Sequence, residues 1–275
     1  MCHPGSRSVV LFLQDIRLSG MTDRATIPPM SRVLITIPAW NEAQIIEQTL
    51  AQVVEVARGR LGEHDVLIEV ADNGSTDGTA TLARAFAERE RSVPVSVLEL
   101  TEKGKGIAVR RSWERHVGDR DVLLFTDADL AADLSVLPAM VGRLQAGGVD
   151  FLCGSRFVEG SKVEREARRE LTSRIYRGLQ HLLLKLPVED AQCGLKGMTA
   201  RTASLILPQS QETGWLFDSE WIGIAAKKRL NVAEIPVSWV EQRDENRRSS
   251  LNLARDGWGF LLGLARIRQH IRSLG

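Results

Sequence analysis

VLLFTDADL, residues Val122 to Leu130, decides the fold. Its first five residues, Val122 to Thr126, form a short, mainly apolar run that reads as a strand buried on both faces. Two aspartates follow at once, with a single residue between them. A strand buried on both sides needs covering helices, and the preceding sequence supplies them. Gly106 to about Val117 reads as a helix, VSVLEL (Val95–Leu100) as a strand and Thr79–Arg91 as another helix. VLIEVA (Val66–Ala71) is a strand, and Glu42–Arg60 has helical spacing at Ile45, Ile46, Leu50, Val53, Val54 and Ala57. VLITIP (Val33–Pro38) opens the series. Strands alternating with helices predict an α/β architecture with a mostly parallel sheet flanked by helices. In such sheets ligands bind beyond the carboxyl ends of the strands.

Composition narrows the classes further. The chain has 275 residues, 43% hydrophobic and 26% charged, with 36 Lys+Arg against 35 Asp+Glu and a formal net charge of +1. That apolar content and small net charge exclude a disordered chain. No apolar run approaches the roughly 18 residues of a membrane span. Near-neutrality gives no electrostatic case for nucleic acid as a partner. Cys2, Cys153 and Cys193 have neither a CxxC nor a zinc spacing and read as free thiols of a reducing compartment. Residues 1–30 hold one short apolar stretch, Val9 to Leu13, too short for a secretory core, and read as a disordered tail.

Three strand ends carry polar clusters: Pro38-Ala39-Trp40-Asn41-Glu42, Asp72 through Thr79, and Thr126 through Leu130. Asp72 or Asp77 alone reads equally well as a helix cap. Three acidic clusters at one sheet edge repel one another unless a cation or hydrogen-bond donors share the site. Asp127 and Asp129 are spaced to face one point from extended backbone. Oxygen-only donors suit Mg²⁺ or Mn²⁺, which bind one or two carboxylates together with substrate phosphates. Lys103-Gly104-Lys105-Gly106 opens the third helix. It reads either as a phosphate-approach segment at a helix start or as a solvated turn.

PAWNE, ADNGSTDGT, EKGKGIAVR and FTDADL, in that order, resemble the family 2 glycosyltransferases with a GT-A (Rossmann-like) fold. GSRF (Gly154–Phe157), DAQCGLKGMT (Asp190–Thr199), WLFDSE (Trp215–Glu220) and AEIPVSW (Ala233–Trp239) extend the resemblance. They are similar to the branch of dolichyl-phosphate β-glucosyltransferases and dolichyl-phosphate mannose synthases, the glucosyl enzymes being the nearer. The resemblance runs from about Arg32 to about Arg243. It implies an inverting, metal-dependent transfer of a hexose, glucose from UDP-glucose, to a polyprenyl or dolichyl phosphate. GDP-mannose as donor is the alternative.

By that resemblance, Pro38, Glu42, Asp72, Lys105 and Asp127 bind the nucleotide sugar, and Asp127 and Asp129 hold Mg²⁺ or Mn²⁺. Arg156, Arg168, Arg169, Asp190, Gln192 and Lys196 serve the acceptor and its phosphate. Asp218 and Glu220 lie with the DxD pair at the catalytic centre. The chain has Asn73 where the family often has a second Asp, and Ala131 where mannose synthases often place Gln. No stretch reads as the family's usual membrane anchor.

Two basic amphipathic stretches read as a substitute for it. The first, Arg165–Leu186, carries Leu171, Ile175, Leu179, Leu182, Leu183 and Leu186 on one face. The second, Leu251–Leu274, carries Trp258, Leu261, Leu262 and Ala265. Ordinary core-packing helices are the competing reading. The expected layout is a tail over 1–30, a GT-A domain over 31–245 and an amphipathic C-terminal helix over 246–275. The expected location is cytoplasmic, peripheral to the cytoplasmic face of a membrane, with a nucleotide sugar and a lipid phosphate as partners. Two rival readings remain: a haloacid-dehalogenase-type phosphatase using Asp127 as nucleophile, and a non-catalytic membrane-peripheral subunit.

Overall fold

Strand β1 (Arg32–Ala39) is buried along almost its whole length because parallel neighbours flank it on both sides. The architecture comes from a computed structural model, which describes residues 30–164, 177–240 and 253–274. After β1 come α1 (Ile46–Arg60), β2 (Asp65–Asp72), α2 (Thr79–Arg89), β3 (Val95–Glu99), α3 (Lys105–His116) and β4 (Val122–Thr126). Next are α4 (Leu137–Gln145), β5 (Phe151–Ser155), β6 (Lys162–Glu164) and a helix over residues 177–184, here α5. The chain continues through β7 (Leu195–Thr199), α6 (Ala200–Ile206), α7 (Phe217–Lys227), β8 (Val232–Pro236), β9 (Ser238–Val240) and α8 (Leu253–Ser273).

Seven strands form one sheet in the order β3-β2-β1-β4-β7-β5-β8, and β6 pairs with β9 in a small parallel ribbon. Only β7 runs antiparallel to its neighbours in the large sheet, pairing with β4 on one side and β5 on the other. The mostly parallel α/β architecture predicted from sequence is therefore present. Alternation splits the strand residues between two layers. Val33, Ile35, Ile37, Val122 and Leu124 meet Ile46, Leu50 and Val53 of α1 and Met140 and Val141 of α4. Leu34, Leu123 and Phe125 meet Trp113 of α3, Ile206 of α6 and Phe217 and Trp221 of α7. Each such side chain contributes roughly 1.5–3 kcal/mol by leaving water.

The sequence placed the first helix from Glu42, but α1 begins at Ile46. Asn41 takes a left-handed conformation (φ 57°), and the amides of Ile45 and Ile46 both donate to Glu42 O, making a turn before the helix. The C-terminal amphipathic helix is present as α8. Its Leu264 and Ile267 are buried against Leu216, with Leu179 and Leu183 of α5 packed alongside. Part of both apolar faces is thus core packing, while Leu182 and Leu262 stay 70% and 51% exposed. Residues 1–29 of the expected tail and residues 165–176 of the first amphipathic stretch lie outside the described residues. Among the described residues no helix is long and apolar enough to cross a membrane.

Candidate active site

The carboxyl ends of β2, β1 and β4 bring the three polar clusters to one edge of the sheet. At the end of β4 the chain does not stay extended: Leu130 N donates to Asp127 O at 3.1 Å, and Leu130 has φ 49°. The aspartate pair thus sits in a turn rather than on a strand. The Asp127 amide donates to Gly194 O at 3.0 Å in the loop before β7. A Cβ at Gly194 would fall 2.0 Å from Asp127 Oδ2, so only glycine leaves room for this carboxylate. Asp129 Oδ1 accepts the Ala131 amide at 3.2 Å. Burial and then the neighbouring Asp127 charge push the Asp129 carboxyl above its ordinary range, against the pull of the Ala131 amide and Lys105.

A carboxyl raised by its neighbour's charge, with a glycine cradle fitted round that neighbour, suits a divalent cation. Among the described residues no group of three or more His, Cys, Asp or Glu side chains is gathered to hold a metal. Asp127 and Asp129 would therefore be the protein's donors, leaving positions for phosphate oxygens and water.

Lys105, the first residue of α3, places Nζ 2.6 Å from Asp127 Oδ1. Its ammonium also lies 5.3 Å from the Phe125 ring centroid, 5.5 Å from Trp215 and 5.9 Å from Phe217. The glycines around it are neither a solvated turn nor an anion-facing loop. Gly104 has φ 136°, and a Cβ there would sit 2.3 Å from Thr213 O. The amides of Gly106 and Ile107 donate to Gly214 O and Thr213 O, at 3.2 and 3.0 Å. The segment before α7 therefore occupies the helix start that the sequence offered to a phosphate.

On the β1–β2 side, Pro38 is buried opposite Ala71. Asp72 is 3% exposed; its Oδ2 accepts Ser75 N at 3.1 Å, whereas its buried Oδ1 has no hydrogen-bond partner. That free acceptor suits a ligand hydroxyl or N–H. Glu42 N donates to Thr79 Oγ1 at 2.8 Å, and Asp77 accepts Ala43 N, Thr79 N and Thr79 Oγ1. Burial pushes the Asp77 carboxyl upward, yet these donors carry it below its ordinary value. Asp77 is a clamp between the first and second loops.

The residues from the second half fall into separate groups. Lys196 is fully buried, with Nζ 3.4 Å from Asp218 and donating to Cys193 O. Burial opposes the Lys196 charge, but Asp218 holds the ammonium above its ordinary value. Burial likewise raises Asp218, against Lys196 and Lys105. Arg156 donates from Nε and Nη2 to both oxygens of Asp190, at 2.7 and 2.9 Å, and its backbone amide adds a third bond. That edge of the guanidinium is filled and braces the Asp190–Gln192 turn. Gln192 Nε2 donates to Ser219 Oγ at 3.2 Å. Glu220, expected at the catalytic centre, is 1% exposed and accepts from Ser210 Oγ, Gln211 N and Glu212 N. It holds the loop that meets α3. Arg168 and Arg169 lie outside the described residues. Burial pushes the Cys193 thiol up to about 11 and the Cys153 thiol up as well, so neither is a nucleophile at neutral pH.

Sequence reasoning passed over Gly194, Trp215 and His270. Gly194 was visible within the QCGLK stretch and Trp215 within WLFDSE, but their roles depend on contacts across the fold. His270 of α8 bonds Gln209 O at 2.7 Å and lies 3.8 Å from Glu220, joining the last helix to the loop.

Comparison with known proteins shows the family and the fold. The chain is 31% identical over 230 residues to glycosyltransferase AglD of Haloferax volcanii, covering 83% of this chain but 35% of that protein. It is 28% identical to the dolichyl-phosphate beta-glucosyltransferase of Dictyostelium discoideum, covering 85% of this chain and 76% of the relative. Glucosyl-3-phosphoglycerate synthase of Mycobacterium tuberculosis, solved with Mn²⁺ and UDP-glucose, shares the fold. Its TM-score is 0.59 at 21% identity, covering 86% of this chain and 79% of that one. The family model described as Glycosyl transferase family 2 matches residues 34–203, from β1 into α6. The chain belongs to glycosyl transferase family 2.

Proposed function

We propose that this glycosyltransferase moves glucose from UDP-glucose to a polyprenyl phosphate at a membrane surface, with Mg²⁺ or Mn²⁺ bound by Asp127 and Asp129. The observation that carries the reading is the state of the second-half acids. Glu220 is saturated by loop donors, and Asp218 is buried against Lys196. Glu220 is therefore not free to take a proton from an acceptor hydroxyl, and Asp218, whose Oδ1 has no hydrogen-bond partner, is held as the counter-ion of Lys196. A phosphate monoester has its second pKa near 6, so at neutral pH it is already a competent anionic nucleophile and needs no base. The dolichyl-phosphate relatives favour the same acceptor class.

Asp72 offers its free Oδ1 to the nucleoside, and Lys105 brings positive charge to the pyrophosphate beside Asp127. The cation, when bound, neutralises charge on the departing pyrophosphate. Lys196 keeps positive charge behind the sugar site, and Arg156 orients the Asp190–Gln192 turn. Arg168 and Arg169 are the proposed partners of the acceptor phosphate. Leu182 and Leu262, exposed on α5 and α8, supply apolar contact with the lipid surface.

The test is incubation with UDP-glucose, polyprenyl phosphate in mixed micelles and Mn²⁺ or Mg²⁺, followed by extraction of glycolipid. Lipid-linked glucose that disappears in EDTA supports the reading. Mannolipid formed preferentially from GDP-mannose moves the donor assignment. Sugar transfer only to hydroxyl acceptors overturns it.

A further inference from the structure

We infer that Trp215 is the platform on which the donor's hexose ring lies, an inference that rests on the nucleotide-sugar reading above. Trp215 is 50% exposed although it belongs to a segment held from several directions. Glu220 takes the amides of Gln211 and Glu212, and Glu212 Oε1 accepts the Gly214 amide at 3.1 Å. Thr213 O and Gly214 O in turn bind the first turn of α3. Such a set of anchors fixes the backbone immediately before Trp215. At Gly106 a Cβ would fall 2.6 Å from Phe217 Cβ, so the helix start and this segment also fit each other sterically. A lone exposed aromatic on a loose surface loop would need no explanation. An exposed aromatic on an anchored loop, 5.5 Å from the lysine that pairs with Asp127, does.

The order of the sheet indicates what lies there. Asp72 at the end of β2 is placed for the nucleoside, and Asp127 at the end of β4, two strands across, for the pyrophosphate. The sugar is bonded to the second phosphate, so it continues beyond Asp127, away from Asp72. Lys105 lies against Asp127 and Trp215 lies 5.5 Å from the Lys105 ammonium, with Phe125 and Phe217 completing the aromatic wall around that ammonium. A hexose presents C–H faces between its hydroxyl edges, and an indole matches such a face while its neighbouring charges meet the hydroxyls. The occupant assigned is therefore the donor hexose.

Comparing UDP with UDP-glucose isolates the sugar. Isothermal titration in Mn²⁺ is run on wild type, Trp215→Ala and Trp215→Phe, with thermal melts confirming that each variant is folded. Trp215→Ala is expected to weaken UDP-glucose about 5-fold, the scale of one aromatic contact. UDP affinity should stay within about 2-fold and Trp215→Phe should fall between. Equal weakening of UDP and UDP-glucose overturns the assignment, because the ring would then serve the nucleotide. Unchanged affinity for both, with a raised KM for the lipid acceptor, also overturns it in favour of the acceptor chain. A wild-type protein that binds neither UDP-glucose nor GDP-mannose in Mn²⁺ removes the donor reading and this inference together. Should Trp215→Ala not fold, Trp215→Phe decides alone: a selective loss for UDP-glucose supports the platform, and its absence rejects it.

Discussion

The Gly194 carbonyl accepts the amide of Asp127, and its missing side chain leaves the space that the Asp127 carboxylate fills. One residue thus fixes both the backbone and the side chain of the DxD turn. Gly194→Ala should displace the carboxylate by about the 1 Å that costs roughly 100-fold in rate. Its circular-dichroism melt should stay close to wild type. Steady-state kinetics showing full kcat/KM for Gly194→Ala would dispose of the cradle.

The Arg156–Asp190 pair should carry pH-dependent stability. Burial pushes Asp190 up, but Arg156 outweighs it and leaves the carboxyl below its ordinary value of 3.8. A depressed carboxyl stabilises the fold above its unfolded pKa and loses that contribution as pH falls through the folded value. Asp190→Asn should therefore destabilise by about 3–5 kcal/mol at pH 7, since it strands a buried guanidinium. The gap from wild type should narrow below about pH 4. Urea titrations at both pH values measure it, and a gap independent of pH would contradict the pairing.

Glu220 should behave as a positioning residue. Removing its acceptor atoms strands the Ser210 hydroxyl and the Gln211 and Glu212 amides, at about 1–3 kcal/mol for each group left unsatisfied. Glu220→Ala should lower the melting temperature and also kcat, because Lys105 depends on the same loop. A pH–rate profile for Glu220→Gln with its shape retained and its height reduced is the expected signature. Loss of a titrating limb in that variant would instead make Glu220 a base.

On α8, Leu264 and Leu262 should separate core packing from surface contact. Leu264 is fully buried, so Leu264→Ala should cost about 2–5 kcal/mol. Leu262→Ser should leave stability almost unchanged but reduce sedimentation with anionic liposomes, as should Leu182→Ser. Equal recovery of wild type in the supernatant with and without liposomes would leave these helices as packing elements alone.

The first half of the fold was legible because each of its four strands is a compact apolar run next to a periodic helix. β7 was not: LKGMT places Lys196 and Gly197 inside the strand, and a fully buried lysine has no strand signal of its own. Lys196 is tolerated there by Asp218, twenty-two residues away in sequence. The DxD pair and Asp72 were visible as strand-end acids, and both lie at the expected edge. The roles of Arg156 and Glu220 were hidden for one reason. A charged residue in a sequence does not reveal whether another residue has already engaged it, and Asp190 and the 210–212 amides have done so.

The antiparallel strand also sets the order in which this site can come into being. Phe125 pairs with Lys196 and Leu123 with Met198, joining a strand from the middle of the family region to one at its far end. While a ribosome is still producing residues before Leu195, β4 is an uncovered sheet edge rich in apolar side chains, a template for wrong pairing. Gly194 has also not yet reached Asp127. Closing so long a loop is slow compared with forming the local β–α–β units. The loops after β1 and β2 should thus be ordered early, and the Asp127–Leu130 turn should lock only when β7 inserts between β4 and β5, making ligand competence a late event in the life of each nascent chain.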